Sequence, residues 1–199
     1  MIKLDGKVVC IFGLRGSGKS TLADYIALPY HELALFYDVL HEVPANSTYF
    51  SYQPRDRYSI SELENVITRV INAKRYSLFI IDEANRFARP KPAPLPKKIA
   101  ELNDECRHIG LTVIYIARRP TQLNQDLTEL ADYLMIFQLS GKNDVKYLND
   151  LSTGLGDKIS KLKPYTFALV DRARDYKIYP AIQPSETWTK RKNKGIEIA

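Results

Sequence analysis

Cysteine is nearly absent: only Cys10 and Cys106 occur in 199 residues. Two thiols make neither a disulfide framework nor a metal cluster. Cys10 lies inside an apolar run and reads as a small buried hydrophobe, which fits a reducing interior. Long hydrophobic runs are also missing. None approaches the length of a membrane span, and Val8–Phe12 is too short for the apolar region of a signal peptide. A membrane span is therefore not expected, and a cytoplasmic location is. No internal repeat occurs. An Asn-Lys-x-Asp guanine signature is missing too, since Asn143-Asp144 lacks the lysine, which argues against a GTPase.

What is present is an ordinary globular composition, 45% hydrophobic and 26% charged. The length suits one α/β domain with a real core. We place that domain at residues 1–183 and a basic polar tail at 184–199. The net charge of +6 permits an acidic partner such as nucleic acid, without requiring one.

The most informative stretch begins Lys7-Val8-Val9-Cys10-Ile11-Phe12 and continues Gly13-Leu14-Arg15-Gly16-Ser17-Gly18-Lys19-Ser20. An apolar run, then G-x-x-x-x-G-K-S, then a helical pattern from Thr21 is the context a phosphate-binding P-loop requires. The loop spans Gly13 to Thr21. Its glycines let several N–H groups face one anion, and the positive end of the following helix adds to that field. Lys19 would reach the β- and γ-phosphates of ATP, and the Ser20 hydroxyl would bind Mg²⁺.

Further strands are expected at residues 33–37, 48–52, 77–81, 111–117 and 133–138, with a closing hairpin from 166–170 and 177–179. Ser61-x-x-Glu64 reads as a capping box opening a helix that ends near Ala73. Helices also fit residues 98–108, 126–131 and 142–151, with Gly110 as a helix stop and Gly154 and Gly156 marking a loop. Between Pro90 and Pro96 the alternating prolines predict a stiff, extended loop. The fold class is α/β, a mostly parallel sheet flanked by helices. One strand and two helices are expected between Lys19 and Asp82.

Asp82-Glu83 follow the apolar run Leu78–Ile81, at the strand end where open α/β sheets bind ligands. Asp82 suits a Mg²⁺ carboxylate, and Glu83 suits the base that activates water. Such a base favours hydrolysis. The alternative, a nucleoside or small-molecule kinase, must exclude water and needs a lid; residues 41–58 hold no recognisable arginine-rich one.

Ile80-Ile81-Asp82-Glu83-Ala84-Asn85-Arg86-Phe87, Cys106-Arg107-His108-Ile109-Gly110-Leu111-Thr112, Ala117-Arg118-Arg119-Pro120 and Ala131-Asp132 together resemble the FtsK–HerA superfamily of DNA-pumping ATPases. The order of motifs is similar over about residues 5–180. The compact size resembles the genome-packaging ATPases of membrane-containing viruses with double jelly-roll capsids, notably those of the turreted icosahedral archaeal viruses. The likeness implies a RecA-like P-loop NTPase of the ASCE group, and an ATP-driven motor that moves double-stranded DNA into a preformed capsid. It further implies a ring of identical subunits, hexameric in form, acting in the host cytoplasm or on the virion, with a capsid or portal vertex as partner. Filamentous-phage assembly proteins share a similar core but usually carry a membrane span. Where the family usually has a glutamine sensor, this chain has Arg118. The family also implies Arg107 as a finger reaching a neighbour's nucleotide; a cation favoured by a helix C-terminus explains it equally well. For DNA contact the basic residues of the Pro-rich loop (Arg86, Arg89, Lys91, Lys97, Lys98) stand ahead of Lys190–Lys194. Those in the tail also fit a solvated surface, and Trp188 could dock the tail on a neighbour.

Overall fold

The computed structural model describes residues 4–184, so Trp188 and the basic run Lys190–Lys194 lie outside the described residues. Its frame is one eight-stranded sheet. The strands are β1 (Val8–Phe12), β2 (Ala34–Tyr37), β3 (Phe50–Tyr52), β4 (Leu78–Ile81), β5 (Thr112–Ala117), β6 (Tyr133–Phe137), β7 (Phe167–Val170) and β8 (Tyr176–Tyr179). They lie in the order β3-β2-β4-β5-β1-β6-β7-β8. The first six in that order pair in parallel; β7 and β8 are antiparallel additions at the β6 edge. β1, β2, β4, β5 and β7 are buried along their whole length, as continuous apolar runs in a covered sheet require.

Six helices cover the sheet: α1 (Lys19–Ala27), α2 (Ile60–Ala73), α3 (Lys97–Cys106), α4 (Gln125–Leu130), α5 (Lys142–Leu151) and α6 (Leu155–Ser160). Alternation along β1 divides the core. Cys10 and Phe12 join Leu63 and Ile67 of α2, Leu102 of α3, Leu148 of α5 and Ile159 of α6. Val9 and Ile11 join Leu22, Ala23 and Ala27 of α1 on the other face.

Most expected elements appear within a residue or two of their predicted ends. Four details differ. The cap of α2 is Ser59, whose hydroxyl accepts the Glu62 N–H at 3.1 Å, so the helix starts before the Ser61-Glu64 pair. The Glu62 carboxylate instead accepts from Tyr52 Oη and the Arg55 and Asp56 amides. Gly154 and Gly156 do not make a loop: Gly154 caps α6 and Gly156 lies inside it, where a Cβ would collide with the Val145 backbone. Two strands, β2 and β3, rather than one, intervene between α1 and the strand β4 that ends just before Asp82. Finally, the Pro-rich loop is not free. Asn124, fully buried, donates to Arg89 O at 2.9 Å and Ala93 O at 3.1 Å. The Lys91 amide donates to Gln125 Oε1, and Lys91 Nζ pairs with Asp126 at 2.7 Å.

Candidate active site

β1 delivers the loop and α1 receives it. Gly18 sits at the α1 N-cap with φ 108°, in left-handed space that side chains rarely adopt. At Gly13 a Cβ would meet the Ser17 side chain and would lie 2.9 Å from Phe137 Cβ, so only glycine lets the chain leave the sheet there. The first turn of α1 holds no acidic residue, so its positive end stays available to an anion. Lys19 Nζ donates to Gly13 O at 2.6 Å and Leu14 O at 3.1 Å. Burial lowers its pKa, and the charges of Asp82 and Glu83 oppose that shift.

β4 delivers the acidic pair. Asp82 is buried, and loss of solvent pushes its carboxyl up to about 7. The Glu83 amide hydrogen bond counters this in part, while the charges of Glu83, Glu42 and Asp38 add to it. No cation pairs with Asp82 among the described residues. A buried, unpaired carboxylate in the same cavity as the Ser20 hydroxyl is an all-oxygen donor set that suits a hard Mg²⁺ ion. Glu83 stands on left-handed backbone, φ 46° and ψ 39°. Its Oε1 lies 3.2 Å from Arg118 Nε, and its Oε2 lies 3.7 Å from Arg86 Nε.

β5, which ends just before Arg118, lies between β1 and β4. The sheet order therefore brings Lys19, Ser20, Asp82, Glu83 and Arg118 to one cavity of about 720 Å³. Arg15, Gly16, Gly18 and Thr21 line it as well, and Gly13 and Leu14 contribute the carbonyls that hold Lys19. Ser17 closes the loop by donating its amide to Leu14 O at 3.1 Å.

Arg107 is not in this cavity. It caps α3, and its Nη2 lies 3.3 Å from Asp132 Oδ1, a buried carboxylate that also pairs with Lys7 and Arg172 and accepts the Val8 amide. Val8 opens β1, so this cluster marks the sheet edge opposite the loop.

Sequence reading missed two parts of the site. Asp38, fully buried, accepts the Glu42 and Val43 amides at 2.8 and 2.9 Å, and so turns Glu42 into the cavity wall. Phe137, Tyr165 and Phe167 form an aromatic wall, with Phe137 and Tyr165 against Gly18. The Asp38 turn had a signal, an aspartate directly after an apolar strand; the aromatic wall depends on the β6–β7 pairing and had none.

No protein-family model matches the chain, and no curated protein matches it in sequence. Solved structures do. The genome-packaging NTPase B204 of Sulfolobus turreted icosahedral virus 2, in complex with ATP-γS, superposes with a TM-score of 0.76 at 20% identity, over 89% of this chain and 98% of that one. The DNA-packaging ATPase B204 of Sulfolobus turreted icosahedral virus gives 0.76 at 22% identity, over 91% and 100%. The RadB recombinase gives 0.56 at 14% identity, over 88% and 87%. The motif resemblance thus has its counterpart in three dimensions, and the fold is that of the RecA-like P-loop NTPases.

Proposed function

We propose that this chain is an ATP-hydrolysing motor that translocates double-stranded DNA, of the kind that packages a viral genome into a preformed capsid. The observation that carries the reading is the convergence of Lys19, Asp82, Glu83 and Arg118 on one cavity beside a helix N-terminus. Loop amides and Lys19 would hold the triphosphate. Ser20 and Asp82 would hold Mg²⁺, which supplies charge neutralisation across the β- and γ-oxygens. Glu83 would orient and deprotonate the attacking water. Arg118, which lines the same cavity, would sense the γ-phosphate. Arg107 faces away and would serve a neighbouring subunit, in a homo-oligomeric ring of six by the family resemblance. The genome-packaging and DNA-packaging enzymes with the same fold support DNA as the cargo; a capsid as partner and the host cytoplasm or virion as setting come from the family resemblance alone. No helix among the described residues is long and apolar enough to cross a membrane.

The test is ATP turnover with and without duplex DNA, alongside the mass in solution. We expect turnover that rises with DNA and with protein concentration, and is lost in Lys19→Ala. Unchanged turnover in Lys19→Ala would remove the phosphate-loop assignment. A monomer indifferent to DNA would remove the motor.

A further inference from the structure

A second cleft, open and about 940 Å³, adjoins the nucleotide cavity. Arg15, Glu83 and Arg118 line both, so the catalytic carboxylate forms part of the wall between them. Arg15, Arg86, Arg118 and Arg119 bring four guanidinium groups to the cleft, and Glu83 is the one carboxylate lining it. Arg119 also pairs with the buried Asp144 at 3.6 Å, which fixes its position at the rim. Arg86 is mostly buried, lies 4.8 Å over the ring of the exposed Tyr58, and reaches Glu83 through Nε.

We infer that this cleft binds the phosphodiester backbone of a polynucleotide, and that the bound phosphate draws Arg86 away from Glu83. The inference rests on the motor reading given above and names where its cargo meets the catalytic edge. A guanidinium fork matches a phosphate as well as it matches a carboxylate, so the two compete for the same donors. While Arg86 and Arg118 flank it, each Glu83 oxygen has a guanidinium beside it, Oε1 at 3.2 Å and Oε2 at 3.7 Å, so a water must compete with a cation for either one. A phosphate that takes Arg86 frees Oε2 for the attacking water. Hydrolysis then follows DNA contact through a single side chain, with no large movement needed. The cleft is far larger than one inorganic phosphate, and the exposed Arg89 continues its charge along the chain after Arg86. Both features fit a polymer of phosphates.

The experiment uses the full chain with a non-hydrolysable ATP analogue and a short fluorescein-labelled duplex, read by anisotropy across a salt series. Arg86→Ala should weaken duplex binding about tenfold and reduce the slope of log affinity against log salt by about one. Gln122→Glu places a repelling charge on an exposed cleft position and should weaken binding about as much, so the result does not depend on Arg86→Ala folding well. In turnover assays Arg86→Ala should raise the rate without DNA and flatten its stimulation by DNA, an effect a merely structural arginine would not produce. Duplex affinity unchanged in both variants would overturn the inference. So would a parent that binds inorganic phosphate, at matched ionic strength, but no duplex; the cleft would then be an exit for the product. A parent that binds duplex but hydrolyses no ATP would sink the motor reading alone, because anisotropy would still judge the cleft.

Discussion

Glu83 holds a left-handed backbone conformation without being glycine, which costs about 1 kcal/mol or more and persists only where the surroundings enforce it. Here they do: two arginines hold the carboxylate and a 3₁₀ turn begins at the next residue. Glu83→Gln keeps this shape and removes the proposed base. Nucleotide binding by calorimetry should persist, while turnover falls about a hundredfold or more. Turnover near that of the parent would make Glu83 structural. Asp82 makes a different prediction. Its carboxyl is raised from 3.8 to about 7, so the nucleotide-free fold prefers it neutral. Between those values the folded state binds more protons than the unfolded one, so stability falls as pH rises from about 4 through 7. Asp82→Asn removes that loss. Its urea stability relative to the parent should grow across this range, by roughly 2–4 kcal/mol, and then level off. A difference that stays constant with pH would show that Asp82 is ionised at no cost.

Among elements, the link between the loop after β4 and the start of α4 is the one that sequence conceals. Asn124 accepts the Asp126 amide as the α4 cap and donates to two carbonyls of the Pro-rich loop. Asn124→Ala leaves those carbonyls without a partner and should cost about 1–3 kcal/mol in urea unfolding. Amide exchange over residues 88–97 should rise more than elsewhere; a uniform rise would mean the residue serves the whole core instead. The partners lie 35 and 31 positions away, so no local pattern could announce them. Strands and loop glycines were legible because burial and left-handed backbone leave their mark within a few residues, as at Val8–Phe12 and Gly18. The same locality misled at Gly156. Two nearby glycines resemble a loop, yet here one is needed because α5 and α6 touch at Val145. Glu42 went unread although its signal was local: Asp38, directly after an apolar strand and four residues before it, accepts its amide and aims it.

For the whole molecule, the separation of Arg107 from Glu83 makes assembly testable. Arg107 lies at the sheet edge away from its own nucleotide, more than half exposed beside Asp132. Arg107→Ala should bind ATP normally and hydrolyse it poorly. Mixed with Glu83→Gln it should regain activity at each interface that pairs an intact arginine with an intact glutamate. Recovery with Arg118→Ala instead would move the trans role to Arg118. The sheet order has one more consequence, for how the chain reaches this state. β1 is made early, yet its neighbours are β5 and β6, and the Val8 amide waits for a carboxylate 124 positions later. Until that stretch leaves the ribosome, Val8–Phe12 is an apolar strand with two open edges, the kind of segment that recruits chaperones or aggregates. Nucleotide cannot rescue it, since the pocket needs β4 and β5 in place. During synthesis a strand that ends up buried along its whole length is therefore the one left unpaired longest.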